Sequence, residues 1–127
     1  MIDHIGLSVQ NYDTMKSFYE KALAPLGYGV VGEYLPPMTA HKMGGLGKNQ
    51  KGDLWISEEG KTTPHAHIAF VAETRAEVDA FYDAALAAGG IDNGKPGLRP
   101  EYHENYYGAF VLDPEGHNAE VVCHKPE

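Results

Sequence analysis

Slid against itself by 63 residues, the chain aligns positions 4–27 with 67–90 without a gap. Identities fall at His4/His67, Ile5/Ile68, Phe18/Phe81, Tyr19/Tyr82, Ala22/Ala85, Leu23/Leu86, Ala24/Ala87 and Gly27/Gly90. Random matching at ordinary composition would give about one or two such identities. Two unrelated amphipathic helices would account for the shared Ala and Leu, but not for His-Ile ahead of each helix in one register. The 127 residues therefore read as two copies of one supersecondary unit.

Each copy opens with a short apolar run, His4–Val9 and His67–Val71, that reads as a strand. In the first copy Met15, Phe18, Tyr19, Ala22 and Leu23 then fall on one helical face; in the second Val78, Phe81, Tyr82, Ala85 and Leu86 do. Asn11 is placed to cap the first helix, which Pro25 and Gly27 end. Thr74 and Glu77 have capping-box spacing before the second, and Gly89-Gly90 stops it. Further strands are expected over Tyr28–Tyr34, around His41–Leu46, over Asp53–Ser57, near Leu98–His103, and over Tyr106–Leu112 and Asn118–Cys123. The turn Asp113-Pro114-Glu115-Gly116 separates the last two. Each unit thus reads βαβββ, and one alone would expose an apolar face. The fold class is α+β, with two such modules, about 2–60 and 65–124, forming a curved, partly open mixed β-sheet barrel with helices outside. Residues 1–127 would form a single domain.

Composition narrows the function. A net charge of −8 argues against a sequence-independent nucleic-acid binder, which needs a basic stripe. No apolar run approaches the ~20 residues of a membrane helix, and no secretory signal is visible at the N-terminus. The lone Cys123 suits a reducing compartment, so a cytoplasmic location is expected.

Seven histidines stand against ten Lys and Arg. His4 and His67 begin the first strand of each repeat; packed with approximate two-fold symmetry, they would meet across a cleft as half of a metal site. The plainer alternative is two satisfied polar residues at strand ends, inherited through duplication. Glu120, inside the apolar strand Asn118–Cys123, is expensive to bury unless paired or bound to a cation. An outward-facing Glu on a solvated face is the alternative. Together, His4, His67 and Glu120 make a 2-His-1-carboxylate set suited to a divalent ion with open positions.

The repeated βαβββ unit, His-Ile at each repeat start, Phe-Tyr in each helix, and Leu-Asp-Pro-Glu-Gly ahead of a strand Glu resemble the vicinal oxygen chelate superfamily over residues 2–124. Its relatives include glyoxalase I, extradiol dioxygenases, and fosfomycin- and bleomycin-resistance proteins. The resemblance implies that His4, His67 and Glu120 hold a divalent metal: Fe(II), Mn(II), Ni(II), Co(II) or Zn(II). It also implies a small substrate that chelates the ion through vicinal oxygens, in a lyase, isomerase or dioxygenase reaction. Glyoxalase I carries a second glutamate in the last strand of its first half. Aligning Asp53-Leu54-Trp55-Ile56 with Asn118-Ala119-Glu120-Val121 puts Trp55 there, which argues against a standard lactoylglutathione lyase. The resemblance further implies a homodimer, with the site inside one chain or shared between two. A metal-free binding protein of the bleomycin-resistance type is the alternative.

Other residues have weaker claims. In the stretch Arg99–Tyr107, Arg99 is placed to hold a substrate carboxylate, Tyr102 or His103 to move a proton, and Tyr107 to contact substrate. A surface turn with packed tyrosines is the alternative. Trp55 is read as an apolar pocket wall or as core. The Gly-rich stretch His41–Gly52 reads as a solvated hairpin or a mobile lid. His65 competes with His67 as a ligand, and His117 is expected to be exposed.

Overall fold

His4-Ile5 and His67-Ile68 each stand at the start of a strand in the computed structural model, which describes residues 1–127. The first repeat runs β1 (Ile5–Ser8), α1 (Tyr12–Leu23), a 3-10 turn (Ala24–Leu26), β2 (Gly29–Tyr34), β3 (Met43–Lys48) and β4 (Lys51–Ser57). The second runs β5 (His67–Val71), α2 (Arg75–Ala87), β6 (Ile91–Leu98), β7 (Tyr107–Leu112) and β8 (Asn118–Cys123). Two four-stranded sheets result, in the orders β1-β4-β3-β2 and β5-β8-β7-β6. In each, the first strand pairs parallel to the last and the remaining pairs are antiparallel. Both sheets are open, and neither closes into a barrel with the other.

The helices form where the sequence supplies both a cap and an apolar stripe. The Asn11 side chain accepts from the Thr14 N–H at 3.0 Å, and Met15, Phe18, Tyr19, Ala22 and Leu23 are buried below it. The Thr74 hydroxyl accepts from the Glu77 N–H at 3.1 Å. Glu77 reaches back to the Glu73 N–H at 3.0 Å, closing the capping box one residue early. Replacing Asn11 by Ala removes one such cap and should cost about 1 kcal/mol of unfolding free energy, read from urea denaturation.

Helix α1 lies on the first sheet, α2 on the second, and the helices pack on each other. The core therefore sits around the helices, and the opposite face of each sheet is left to carry a cavity. Carboxylates tie the modules together. The Tyr19 hydroxyl donates to Asp113 Oδ2 at 2.6 Å, and Glu115 accepts from the Gln10 and Asn11 N–H groups at 2.9 Å. No helix is long and apolar enough to cross a membrane.

Three expectations need correction. The strand sought near Leu98–His103 lies earlier, as β6 (Ile91–Leu98), and residues 99–106 form a loop. Its pairing with β7 is irregular around Gly94 and Gly97, so no alternating pattern marks it. The stretch His41–Gly52 holds the expected strand and forms a hairpin with β4, but it is neither a lid nor solvated over most of its length. Its core is β3, an inner strand of the sheet, in which Gly44, Gly45, Leu46 and Gly47 are buried. Only the turn Asn49-Gln50, with positive φ at both residues, is hairpin tip. His117 is 1% exposed rather than solvated: its Nδ1 accepts from the Ala66 N–H at 2.9 Å, which satisfies the ring on that side.

Candidate functional site

The strand registers define equivalent rows across the two sheets. In the second, Ala69, Glu120, Phe110 and Gly94 stand opposite one another on β5, β8, β7 and β6. In the first, Gly6, Trp55, Gly45 and Gly32 hold the same places on β1, β4, β3 and β2. Trp55 thus occupies in the first module the position of Glu120 in the second. Each row crosses the face of its sheet turned away from the helices.

Around Glu120 lies a cavity of about 490 Å³ lined by His67, Tyr102, His103, Tyr106, Phe110 and Glu120. Glu120 is 1% exposed and both its oxygens have donors. His67 Nε2 lies 2.7 Å from Oε1, and the Tyr106 hydroxyl donates to Oε2. Burial, and then the hydrogen bond to Glu120, hold the Tyr106 hydroxyl above the ordinary phenol range. His103 Nδ1 accepts from the Asn105 N–H at 3.1 Å, so its proton sits on Nε2 and points at His124 Nδ1, 2.7 Å away. The Tyr106 ring packs edge-on against both imidazoles.

His4 lies elsewhere. It lines a second cavity, of about 530 Å³, with Gly6, Tyr34, Met43 and Trp55. Its Nδ1 is 2.7 Å from Asp3 Oδ1. Of the three expected ligands, one chain brings together His67 and Glu120 and leaves His4 on the other module. No group of three His, Cys, Asp or Glu side chains that could hold an ion forms within the chain. A buried carboxylate beside an imidazole is nonetheless two-thirds of a 2-His-1-carboxylate set, and the donor types fit a divalent ion.

The remaining candidates divide by strand parity. Tyr106, Gly108 and Phe110 face the cavity; Tyr107 shares a face with buried Ala109 and Val111 and turns toward α2. There its hydroxyl donates to Asp79 at 2.6 Å, and that bond, with burial, pushes its pKa up to about 12. Tyr107 therefore does not reach the cavity where substrate contact was expected. Arg99 donates to the Gly97 and Lys95 carbonyls at 2.9 and 2.7 Å, with its guanidinium over the Phe110 ring. It stands beside the cavity with its donors turned to backbone. His65 packs on His117 rather than beside His67. Glu58, near Trp55 in sequence, accepts from the Tyr12 N–H at 2.8 Å and stays outside the cavity. Sequence reasoning missed Tyr106 as a partner of Glu120. The signal was available, because buried Ala109 and Val111 put Tyr107 on the helix side and Tyr106 on the other.

Paired βαβββ modules in this topology have the fold of the vicinal oxygen chelate class. The Glyoxalase/Bleomycin resistance protein/Dioxygenase superfamily profile matches residues 1–121, and the chain belongs to that superfamily. A glyoxalase/bleomycin resistance protein from Albidiferax ferrireducens T118 is similar over 99% of both chains, at 25% identity and a TM-score of 0.77. A glyoxalase/bleomycin resistance protein/dioxygenase family enzyme from Burkholderia phytofirmans PsJN shares the fold at 18% identity and a TM-score of 0.71, covering 97% of this chain and 98% of its own. Glyoxalase I from Zea mays shares it at 16% identity and a TM-score of 0.75; 99% of this chain covers 45% of that one. No curated protein matches the sequence. The superfamily includes glyoxalases and dioxygenases, and its members commonly use divalent metals.

Proposed function

We propose that the protein is a divalent-metal-dependent enzyme acting on a small, oxygen-rich substrate that chelates the ion through two vicinal oxygens. His67 and Glu120 of one copy would hold the ion with His4 of a second copy, in a homodimer. The observation that carries this reading is Glu120, a carboxylate 1% exposed in an apolar strand yet turned into a cavity beside His67. Burying a carboxylate there is costly without a partner of opposite charge. The first module offers one ligand, because Trp55 stands where Glu120 stands in the second. A set of two imidazoles and one carboxylate therefore requires one module of each kind facing the other, and within the chain α1 and α2, not these two rows, pack on each other.

When bound, the ion would act as a Lewis acid and a template for the substrate oxygens. The chain's own residues would do the rest. Tyr106 fixes one oxygen of Glu120 and so sets the carboxylate's orientation. Tyr102 and His103 line the same cavity; the Tyr102 hydroxyl is placed to move a proton, and His103 would do so only by giving up its Nδ1 bond to the Asn105 N–H. A proton entering His103 at Nδ1 would let its Nε2–H pass to His124 Nδ1. Trp55, across the shared cleft, would form its apolar wall. The missing second glutamate still argues against a standard lactoylglutathione lyase.

A second reading has one observation in its favour: both oxygens of Glu120 already have donors, so no cation is needed to satisfy them. That suits a metal-free binding protein of the bleomycin-resistance type. Metal analysis separates the two. Protein reconstituted with a divalent ion and dialysed should retain about one equivalent per chain, and His67→Ala should retain none. Equal metal content in both, or none in either, would favour the metal-free reading.

A further inference from the structure

We propose that Asp3 is a positioning residue for the first-module ligand: its carboxylate holds the proton of His4 on Nδ1 and so reserves Nε2 for the ion. This role rests on the functional reading above and names how His4 is prepared before any ion arrives. The tautomer itself is read without metal.

His4 Nδ1 lies 2.7 Å from Asp3 Oδ1. The hydrogen bond from His4, and then the Lys51 charge, hold the Asp3 carboxyl below its usual range, so it is ionised. An ionised carboxylate only accepts. In the neutral ring the shared proton therefore belongs to Nδ1 and the lone pair to Nε2. A metal-ligating imidazole characteristically gives its other N–H to a carboxylate or a carbonyl, which fixes the ring and raises the basicity of the ligating nitrogen. Asp3 is itself held from behind. Lys51 Nζ donates to the Asp3 carbonyl and lies 3.5 Å from Oδ1. Lys51 is pinned in turn by Asp53 Oδ1 at 2.9 Å, and the Tyr28 hydroxyl donates to Asp53 Oδ2 at 2.7 Å. The fold places this chain of groups. β4 runs parallel to β1 with Ile5 opposite Leu54, which sets Lys51 and Asp53 beside the segment ahead of β1. Leu54 and Ile56 are buried on the helix side of β4, so Lys51, Asp53 and Trp55 alternate onto its other face.

Stability does not explain the pair. The Asp3 and His4 side chains are 73% and 56% exposed, and an ion pair between exposed groups contributes little to folding. The duplication does not explain it either. In the 63-residue register Ala66 stands where Asp3 does, and His67 has Glu120 at Nε2 but no carboxylate at Nδ1. The two imidazoles are thus oriented by different means. Glu120, itself a proposed ligand, meets Nε2 of His67; Asp3 meets Nδ1 of His4 and leaves Nε2 free.

The test has two readouts on the full-length protein. The first is the long-range proton–nitrogen correlation spectrum of the metal-free, isotope-labelled chain at about pH 8, with the His4 ring assigned by its loss in His4→Ala. A ring protonated at Nδ1 is expected in the wild type. In Asp3→Ala it should move toward the Nε2–H form usual for a free imidazole. The second is affinity for Co(II), from competition with a chromophoric chelator. Asp3→Ala should bind Co(II) about 10- to 100-fold more weakly, with an unchanged urea midpoint, and Asp3→Glu should recover part of the loss. An Nε2–H ring in the wild type, or a tautomer that Asp3→Ala does not move, would overturn the role of Asp3. So would equal Co(II) affinity in Asp3→Ala and wild type while His67→Ala loses the ion. A wild type that holds no His67-dependent Co(II) is a different failure: it overturns the metal reading of the site, and this role with it.

Discussion

Asp113→Ala should cost about 3–5 kcal/mol of unfolding free energy, a fifth or more of what a domain this size usually has. Asp113 is 3% exposed and serves three donors. Its Oδ2 accepts from the Tyr19 hydroxyl at 2.6 Å, and its Oδ1 accepts from the Glu115 and His117 N–H groups at 2.9 and 3.0 Å. Truncation therefore leaves the Tyr19 hydroxyl and the His117 N–H buried without a partner, each at the full cost of its desolvation. Burial beside that carboxylate also holds the Tyr19 hydroxyl well above the ordinary phenol range, so it remains a donor at all ordinary pH. The turn it stabilises joins the modules, because Glu115, two residues on, accepts from the backbone at the start of α1. Tyr19→Phe is the control: it removes one donor, leaves Asp113 its two N–H groups, and should cost about 1–2 kcal/mol. Urea denaturation of both variants reads the difference. Equal losses would mean that the hydroxyl, not the turn, accounts for the effect.

The duplication was legible because two independent periodicities coincide in it. The 63-residue register aligns His-Ile with His-Ile, and the 3.6-residue stripe aligns Phe18-Tyr19 with Phe81-Tyr82. Both caps were also readable, since Asn11 and Thr74 act through their nearest neighbours. Beyond the helices the register slips, and Trp55 rather than Ser57 matches Glu120. The apolar context of each strand was enough to find that match. What stayed hidden had its cause in another strand. The glycines of β3 lay in an expected strand yet read as solvated, because the indole that covers them is on β4. β6 was obscured by Gly94, Pro96 and Gly97, which interrupt any alternation. His117 looked solvated because its partner, the Ala66 N–H, is a backbone group that no pattern reports. Tyr106 and Tyr107 differ only in parity, and composition cannot tell adjacent tyrosines apart. The site was therefore legible as residue types and only partly as a constellation. A repeat shows which positions are equivalent; it does not show which module faces which.

Mixing two inactive variants settles that last point. His4→Ala and His67→Ala should each lose the retained ion when assayed alone. If a site takes His4 from one copy and His67 with Glu120 from the other, a mixed dimer restores one of its two sites. The His67→Ala copy supplies His4, and the His4→Ala copy supplies His67 and Glu120. With random subunit exchange about half the dimers are mixed, so metal content should recover to about a quarter of wild type. If the three ligands came from one chain, no mixed dimer would hold an intact site and recovery would be nil. The separation of His4 and His67 onto two cavities, one on each sheet, favours the first result. The asymmetry of Trp55 and Glu120 sharpens the expectation further. His4 stands in a module whose row ends in an indole, so a second copy of that module offers no carboxylate. Only the pairing of unlike modules brings two imidazoles and one carboxylate to a single ion, and recovery on mixing measures that pairing directly.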